Sequence, residues 1–282
     1  MKKNIGILGF GYWGNIIHNS LKGNDNYSIK YVIGREGKIS RLNDVDKIDN
    51  CTYSTEYTDL LNSDNIDLVI ITTQTKYHYK YIKEFLINGK DVFVEKPMCL
   101  TYDQVYEMVQ LSKESNRKLY VDHIYTFCPE INYIKDIIKN DILLEYQAYR
   151  YNGQCSTFDS SIIGNLMYHD LYIYDYLFNV DNLSNINIEH KKFESCFLRS
   201  NKVKIVSKYN TNKKRVIRIK TDNNHIIWDE LSGELLINKE NVYINKVCDN
   251  INYMFNRLNK DDISKNVSLK ITKFIEDLDE RV

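Results

Sequence analysis

Apolar positions fall into two alternating rhythms over roughly the first 125 residues. Five short runs are almost continuously apolar and rich in β-branched residues: Asn4 to Leu8, Ile29 to Ile33, Asp67 to Ile71, Val92 to Val94 and Leu119 to Val121. Such runs predict strands buried on both faces. Between them, Asn15 to Leu21, Lys76 to Asn88, and Thr101 to about Asn116 repeat apolar residues at helical spacing. Thr75 is a candidate N-cap, Asn88-Gly89 a helix stop, and Thr101 with Gln104 a capping box. Strands taking turns with helices predict an α/β fold, a doubly wound parallel sheet of the Rossmann kind.

Beyond Asp122 the rhythm changes. A helix is predicted at Glu130 to Lys139, a strand at Leu143 to Tyr151, a loop from Tyr151 to Ile163, and a Tyr- and Leu-rich helix from Asn165 to Phe178. From Ile186 to Val247 several segments alternate, with Lys202 to Ile205 and Arg218 to Lys220 the clearest, and two helices near Asp249 to Leu258 and Asp262 to Asp279 follow. This half reads as an α+β domain with a mainly antiparallel open sheet. The expected division is 1–122 and 123–282, with no Pro/Gly linker between the halves and no internal repeat.

Composition narrows the function classes. Thirty-eight basic and 38 acidic side chains give zero net charge, and they are dispersed, so nothing favours nucleic acid or an anionic membrane. No apolar run approaches the ~20 residues needed to span a bilayer, and MKKNIGILGFGYWG is broken by glycines where a signal peptide would be continuous. The six cysteines form no CxxC pair, which argues against a zinc site or a disulfide framework and for a reduced, cytoplasmic protein. Ala148 is the only alanine, so helix propensity is a blunt tool for this chain.

Two stretches carry candidate chemistry. Directly after the first strand stands Gly9-Phe10-Gly11-Tyr12-Trp13-Gly14, and a helix follows, which is the dinucleotide-binding fingerprint in its proper context. Gly9 permits the tight turn, Gly11 lets a pyrophosphate approach the backbone, and Gly14 lets helix pack on strand. At the end of the second strand, where an NAD enzyme usually carries an acid, stand Gly34 and Arg35. Arg35 suits a 2'-phosphate, hence NADP; the alternative is NAD, with Glu36 as the ribose acceptor. The second stretch is Glu95-Lys96-Pro97 at the carboxyl end of the Val92 to Val94 strand, where ligands collect in such sheets. Taken alone it also fits a solvated surface ion pair. His78, in the first turn of its helix, fits either a packed residue or one facing a cofactor.

These motifs, together with TTQTKYH at 72 to 78 and VDHIYTFCP at 121 to 129, stand in the order and at the spacing of the Gfo/Idh/MocA oxidoreductases, which the chain resembles. The resemblance implies a two-domain NAD(P)-dependent enzyme acting on sugars or cyclitols, without a metal. It implies cofactor contacts from Gly9, Phe10, Gly11, Tyr12, Trp13, Gly14, Arg35, Thr72, Thr73, Gln74, His78, Glu95, Lys96 and Pro97. Thr73 and His78 would line the nicotinamide, and Gln74 departs from the family's usual proline. In the second domain, Asn165 and His169 match the family's catalytic aspartate and histidine; His169 agrees and Asn165 does not. The resemblance thus makes Lys96 and His169, with Asn165 at the aspartate's place, the catalytic set, and Asp170 structural support. His123, Tyr125, Asn165 and His169 are the expected substrate contacts, His123 and Tyr125 being equally compatible with packing. The GYWG start and Ile227-Trp228-Asp229-Glu230 resemble a branch that includes nucleotide-sugar dehydrogenases of surface-polysaccharide pathways. A homo-oligomer, dimer or tetramer, is expected. Two alternatives stay open: a cofactor-binding sensor that has lost turnover, and an imine or tetrapyrrole reductase of the same fold.

Overall fold

A computed structural model of the chain describes residues 2–40, 47–153, 161–180, 183, 185–192, 194–210, 212–245, 249–258 and 264–279. The chain divides into two compact units, residues 1–122 with 249–269, and residues 123–248 with 270–282.

In the first unit the predicted runs form β1 (Lys3–Leu8), β2 (Tyr27–Ile33), β4 (Leu68–Ile71), β5 (Asp91–Val94) and β6 (Leu119–Val121), joined by α1 (Tyr12–Leu21), α4 (His78–Ile87) and α5 (Tyr102–Glu114). Three short elements escaped the pattern: α2 (Glu36–Ile39), β3 (Thr52–Ser54) and α3 (Tyr57–Leu61). None is long enough to display a period. The sheet order is β3-β2-β1-β4-β5-β6 and every pairing is parallel. Both faces are covered, so Val69, Val92 and Val94 pack with Phe85, Met108 and Val109 in one core. Helix α5 is held by the expected reciprocal cap: Thr101 accepts from the Gln104 amide at 3.3 Å, and the Gln104 side chain accepts from the Leu100 amide at 3.3 Å. Thr75 is not the N-cap of α4. It opens a 3₁₀ turn, Thr75–Tyr77, that precedes the helix, and its hydroxyl caps neither element. Gly89, at φ +74°, ends α4 as its stop signal predicts.

The domain expected at 123–282 is not continuous. Residues 249–269 pack with the first unit, because helix α8 (Asn250–Phe255) has aromatic and amide partners there. Phe255 lies against Phe93 and Tyr27 with ring centroids 4.8 and 5.7 Å apart, and its carbonyl accepts from the Tyr27 hydroxyl at 2.9 Å. Asn24 donates to the Asn252 side chain at 2.6 Å. Helix α9 (Ser264–Asp279) begins in the same unit, where Ser264 accepts from the Val121 amide at 3.1 Å.

The second unit contains α6 (Pro129–Ile137), β7 (Leu143–Asn152), α7 (Tyr168–Phe178) and β8 to β14, namely Asn187–Lys192, Ser195–Arg199, Val203–Tyr209, Lys214–Thr221, His225–Asp229, Glu234–Ile237 and Glu240–Asn241. Their order is β14-β13-β12-β11-β7-β10-β9-β8, antiparallel except for β7 with β10. Tyr146, Ala148 and Arg150 alternate inward on β7 and are buried. The predicted loop at 151–163 lies partly outside the described residues, as do the expected ends at Val247 and Asp262. The helix expected from Asn165 is an α-helix only from Tyr168; Ile163–Met167 form a π turn that carries Asn165.

Candidate functional site

Strand order reverses between β1 and β4, and the turns that leave these two strands are tied together there. Thr72 donates its hydroxyl hydrogen to the Gly9 carbonyl at 2.6 Å. Gly9 has φ +108°, and a Cβ on it would lie 2.8 Å from the Thr72 carbonyl carbon and 2.9 Å from the Thr73 nitrogen. A Cβ on Gly14 would collide with the Gly9 carbonyl oxygen, so α1 can lie this close to the turn only with glycine there. Gly11 differs: a Cβ there meets nothing within 4 Å. It stands at the N-cap position of α1 without a side-chain cap, and the first turn holds no acid. That turn therefore starts without a side-chain cap or a competing acid, and the free amides of such a helix start suit a phosphate. The Thr73 hydroxyl is buried with no hydrogen-bond partner among the described residues. An orphaned hydroxyl beside an uncapped helix start fits a bound dinucleotide.

The remaining motif residues sort by exposure. Phe10 is a core residue, buried and edge-on to His18 at 5.5 Å, so its side chain is not offered to a ligand. Tyr12 is 76% exposed and Trp13 38%. Arg35 and Glu36 are both exposed at the end of β2, and Gln74 is exposed beside Thr73. His78 is 1% exposed, and its ring nitrogens lie 3.0 Å from the Pro97 carbonyl oxygen and 2.9 Å from that of Thr73. Its position makes it a brace between the turns after β4 and β5, with its two ring nitrogens facing protein carbonyls.

Glu95, Lys96 and Pro97 leave β5 on the same sheet edge as the glycine turn, and Lys96 is half-buried. Glu95 is 7% exposed, and Asp122, at the end of the neighbouring β6, is 4% exposed. Burial pushes the Glu95 carboxyl well above its usual range; contact with Asp122 pushes it further, and the Lys96 charge offsets this in part.

In the second unit His169 lies on α7 between two tyrosines, its Nδ1 3.4 Å from the Tyr172 hydroxyl and its ring 5.4 Å from that of Tyr125. The Tyr172 hydroxyl also accepts from the Tyr125 amide at 3.2 Å. Asn165 donates its side-chain amide to the Tyr209 hydroxyl at 3.1 Å. His123 is 1% exposed, stacked on Tyr168 and Tyr172, with Nε2 3.2 Å from the Tyr168 hydroxyl. His123 thus sits among tyrosine rings within this unit. The Tyr125 hydroxyl donates to Glu230 at 2.7 Å and accepts from Arg150 at 2.9 Å, so its polar end is spent inside the protein.

Arg150 is a residue the sequence reading missed. It is 3% exposed and grips Asp170 with two nitrogens at 3.0 to 3.1 Å, while Arg215 grips Glu230. Burial pushes the Asp170 carboxyl up, and the Arg150 charge opposes that rise. Its signal was present: an arginine at an inward position of an alternating strand needs an acid across from it, and the aspartate after His169 supplies one.

A family profile described as "Oxidoreductase family, NAD-binding Rossmann fold" matches residues 3–123. Inositol 2-dehydrogenase/D-chiro-inositol 3-dehydrogenase of Lactiplantibacillus plantarum is 28% identical over 192 residues, 65% of this chain and 54% of that protein. Matches to two other curated relatives span 36% and 37% of their lengths, so the chain spans between about a third and about half of these proteins. Among solved structures, UDP-N-acetylglucosamine 3-dehydrogenase GnnA from Acidithiobacillus ferrooxidans superposes with a TM-score of 0.84 at 16% identity, covering 100% of this chain and 98% of that one. Biliverdin reductase from Synechocystis sp. PCC 6803, in complex with biliverdin and NADP+, superposes with a TM-score of 0.78 at 16% identity, covering 98% of each chain. At these identities the likeness is one of fold.

Proposed function

Residues 3–123 belong to the Gfo/Idh/MocA oxidoreductase family with its NAD-binding Rossmann fold, and from that premise we propose that the chain transfers a hydride between a nicotinamide dinucleotide and a secondary alcohol or ketone of a sugar. The observation that carries this is one sheet edge holding both an open glycine turn at β1 and the Lys96 loop at β5. The substrate class follows from the cyclitol and nucleotide-sugar dehydrogenases among the relatives, and a nucleotide-linked sugar of a surface-polysaccharide pathway is the specific form proposed.

The residues that would hold the dinucleotide are Gly9, Gly11 and Gly14 with the first-turn amides of α1, the Thr73 hydroxyl, and Arg35 at the adenosine ribose. The nicotinamide, when bound, supplies or accepts the hydride. Arg35 is exposed, with no acid in the preceding position, and pairs with a 2'-phosphate, so NADP(H) is the preferred form. Lys96 polarises the reacting oxygen, and His169 exchanges its proton, since imidazole titrates near working pH. Asn165, at the place of the family's aspartate, adds no charge near His169.

The test is titration of NADPH and NADH into the purified protein, then turnover of keto-sugars and nucleotide sugars by wild type and Lys96→Met. We expect tighter NADPH binding, abolished as a preference in Arg35→Ala. Lys96→Met should lower kcat by about 10²- to 10⁴-fold with dinucleotide binding retained. Tighter NADH binding overturns the cofactor assignment. Full activity of Lys96→Met overturns the mechanism, and reduction of a tetrapyrrole or imine with no sugar turned over overturns the substrate class.

A further inference from the structure

Two acids that the mechanism leaves unused end adjacent strands beside Lys96. Val94 pairs with Val121 in the parallel register of β5 and β6, and the Asp122 amide donates to the Val94 carbonyl at 2.9 Å, so Glu95 and Asp122 emerge at one level. Both are more than nine-tenths buried, the register sets them side by side at the ends of neighbouring strands, and Glu95 Oε1 meets no hydrogen-bond donor among the described residues. Two carboxylates set side by side away from water repel each other and lack donors, and a proton held between them relieves both.

We propose that Glu95 and Asp122 share one proton, carry a single negative charge between them, and act as positioning residues that keep Lys96 protonated and aimed; this rests on the role given to Lys96 above. Acids in contact and away from water ionise one at a time, as in other carboxyl dyads. The charged and titratable groups around the pair fit a single charge. Lys96, on the same loop, favours the ionised form of Glu95 through its charge. His78, from helix α4, faces the loop but directs its ring at the Pro97 and Thr73 carbonyls. The single charge proposed for the pair lies beside the Lys96 charge. The pair titrates as a unit, so its protonation belongs to neither residue alone.

The experiment compares wild type, Glu95→Gln, Asp122→Asn and the double variant. Each single variant keeps one carboxylate and replaces the shared hydrogen by an amide donor, so it should lose clearly less kcat than the double variant, which removes the charge and should lose about a hundredfold or more. The basic limb of its pH–rate profile should move to lower pH, and competitive acetylation should report a lower Lys96 pKa than in either single variant. Infrared spectra near pH 7 should show a protonated-carboxyl C=O band in wild type that each single variant lacks. Absence of that band, a single variant as damaged as the double, or a Lys96 pKa unchanged in the double variant would overturn the proposal. The infrared and acetylation readouts need no turnover, so they judge the pair even if the hydride-transfer reading fails through lack of any sugar substrate. Circular dichroism checks that the double variant is folded, and the two single variants decide the matter if it is not.

Discussion

Gly9 and Gly11 sit two residues apart in one motif, yet different constraints hold them. Gly9 is fixed by its backbone angle and by the Thr72 carbonyl, both internal to the fold; Gly11 has empty space where a Cβ would go. Gly11→Ala should therefore cost stability no more than about 1 kcal/mol, the worth of a weakened helix start. It should still weaken dinucleotide binding markedly, because the methyl group takes the space of a phosphate. Calorimetric Tm set beside a binding titration separates the two effects, and a folded variant with unchanged affinity would remove Gly11 from the site. Glu95 makes a pH prediction of definite sign. Its folded-state pKa is raised well above the ordinary carboxylate value, so its contribution to stability is fully present below that ordinary value and is lost as pH rises toward the folded one. Glu95→Gln, which never ionises, should gain on wild type as pH increases from about 4 to 8 in thermal melts, and a constant gap across that range would contradict it. At this scale the sequence was legible where a constraint is local. Turn, close approach and helix packing are written into the spacing of three glycines. The roles of Phe10 and His78 were not legible, since whether a ring faces ligand or core depends on partners far along the chain, such as Pro97 for His78.

Strands and helices with several periods were read correctly in type, and their ends moved by a few residues, because capping depends on local geometry more than on pattern. Thr75 shows this: a 3₁₀ turn intervenes, and a threonine with N-cap chemistry is placed where it caps nothing. Where an inward position breaks the apolar pattern, the element becomes dependent on a distant partner. Arg150 on β7 and Asp170 on α7 form such a buried, doubly bonded pair, with side chains 4% and 2% exposed. Asp170→Asn should leave an incompletely paired arginine in the core and destabilise the second unit by about 3 to 5 kcal/mol. The chain's two tryptophans are Trp13 and Trp228, one in each unit, so urea unfolding followed by fluorescence in a Trp13→Phe background reports the second unit alone. A midpoint equal to that of the Trp13→Phe parent would show that the pair contributes nothing net. The same pair explains why Asp170 follows His169 so closely: one α7 turn carries both the imidazole and its anchor to the sheet.

For the whole molecule, sheet class followed from the order of apolar runs, whereas the strand order and the path of the chain between units did not. No composition shift marks residues 249–269, and their membership in the first unit rests on specific matches, Phe255 to Phe93 and Tyr27 and Asn252 to Asn24. Phe255→Ala should open a cavity beside β5 and cost about 3 to 5 kcal/mol, read as faster amide hydrogen exchange in β5 and β2. Exchange confined to α8 itself would mean that the segment is an accessory and not part of that core. During synthesis the arrangement has a temporal consequence. The ribosome delivers Phe93 long before Phe255, and at about 5 to 20 residues per second the interval is roughly 8 to 30 seconds. Through that time the dinucleotide domain waits with Tyr27 and Phe93 uncovered while the second unit is being made, so this protein cannot mature strictly from its N-terminus. A nascent chain stalled before residue 249 should engage a holding chaperone, whereas one released beyond 269 should not.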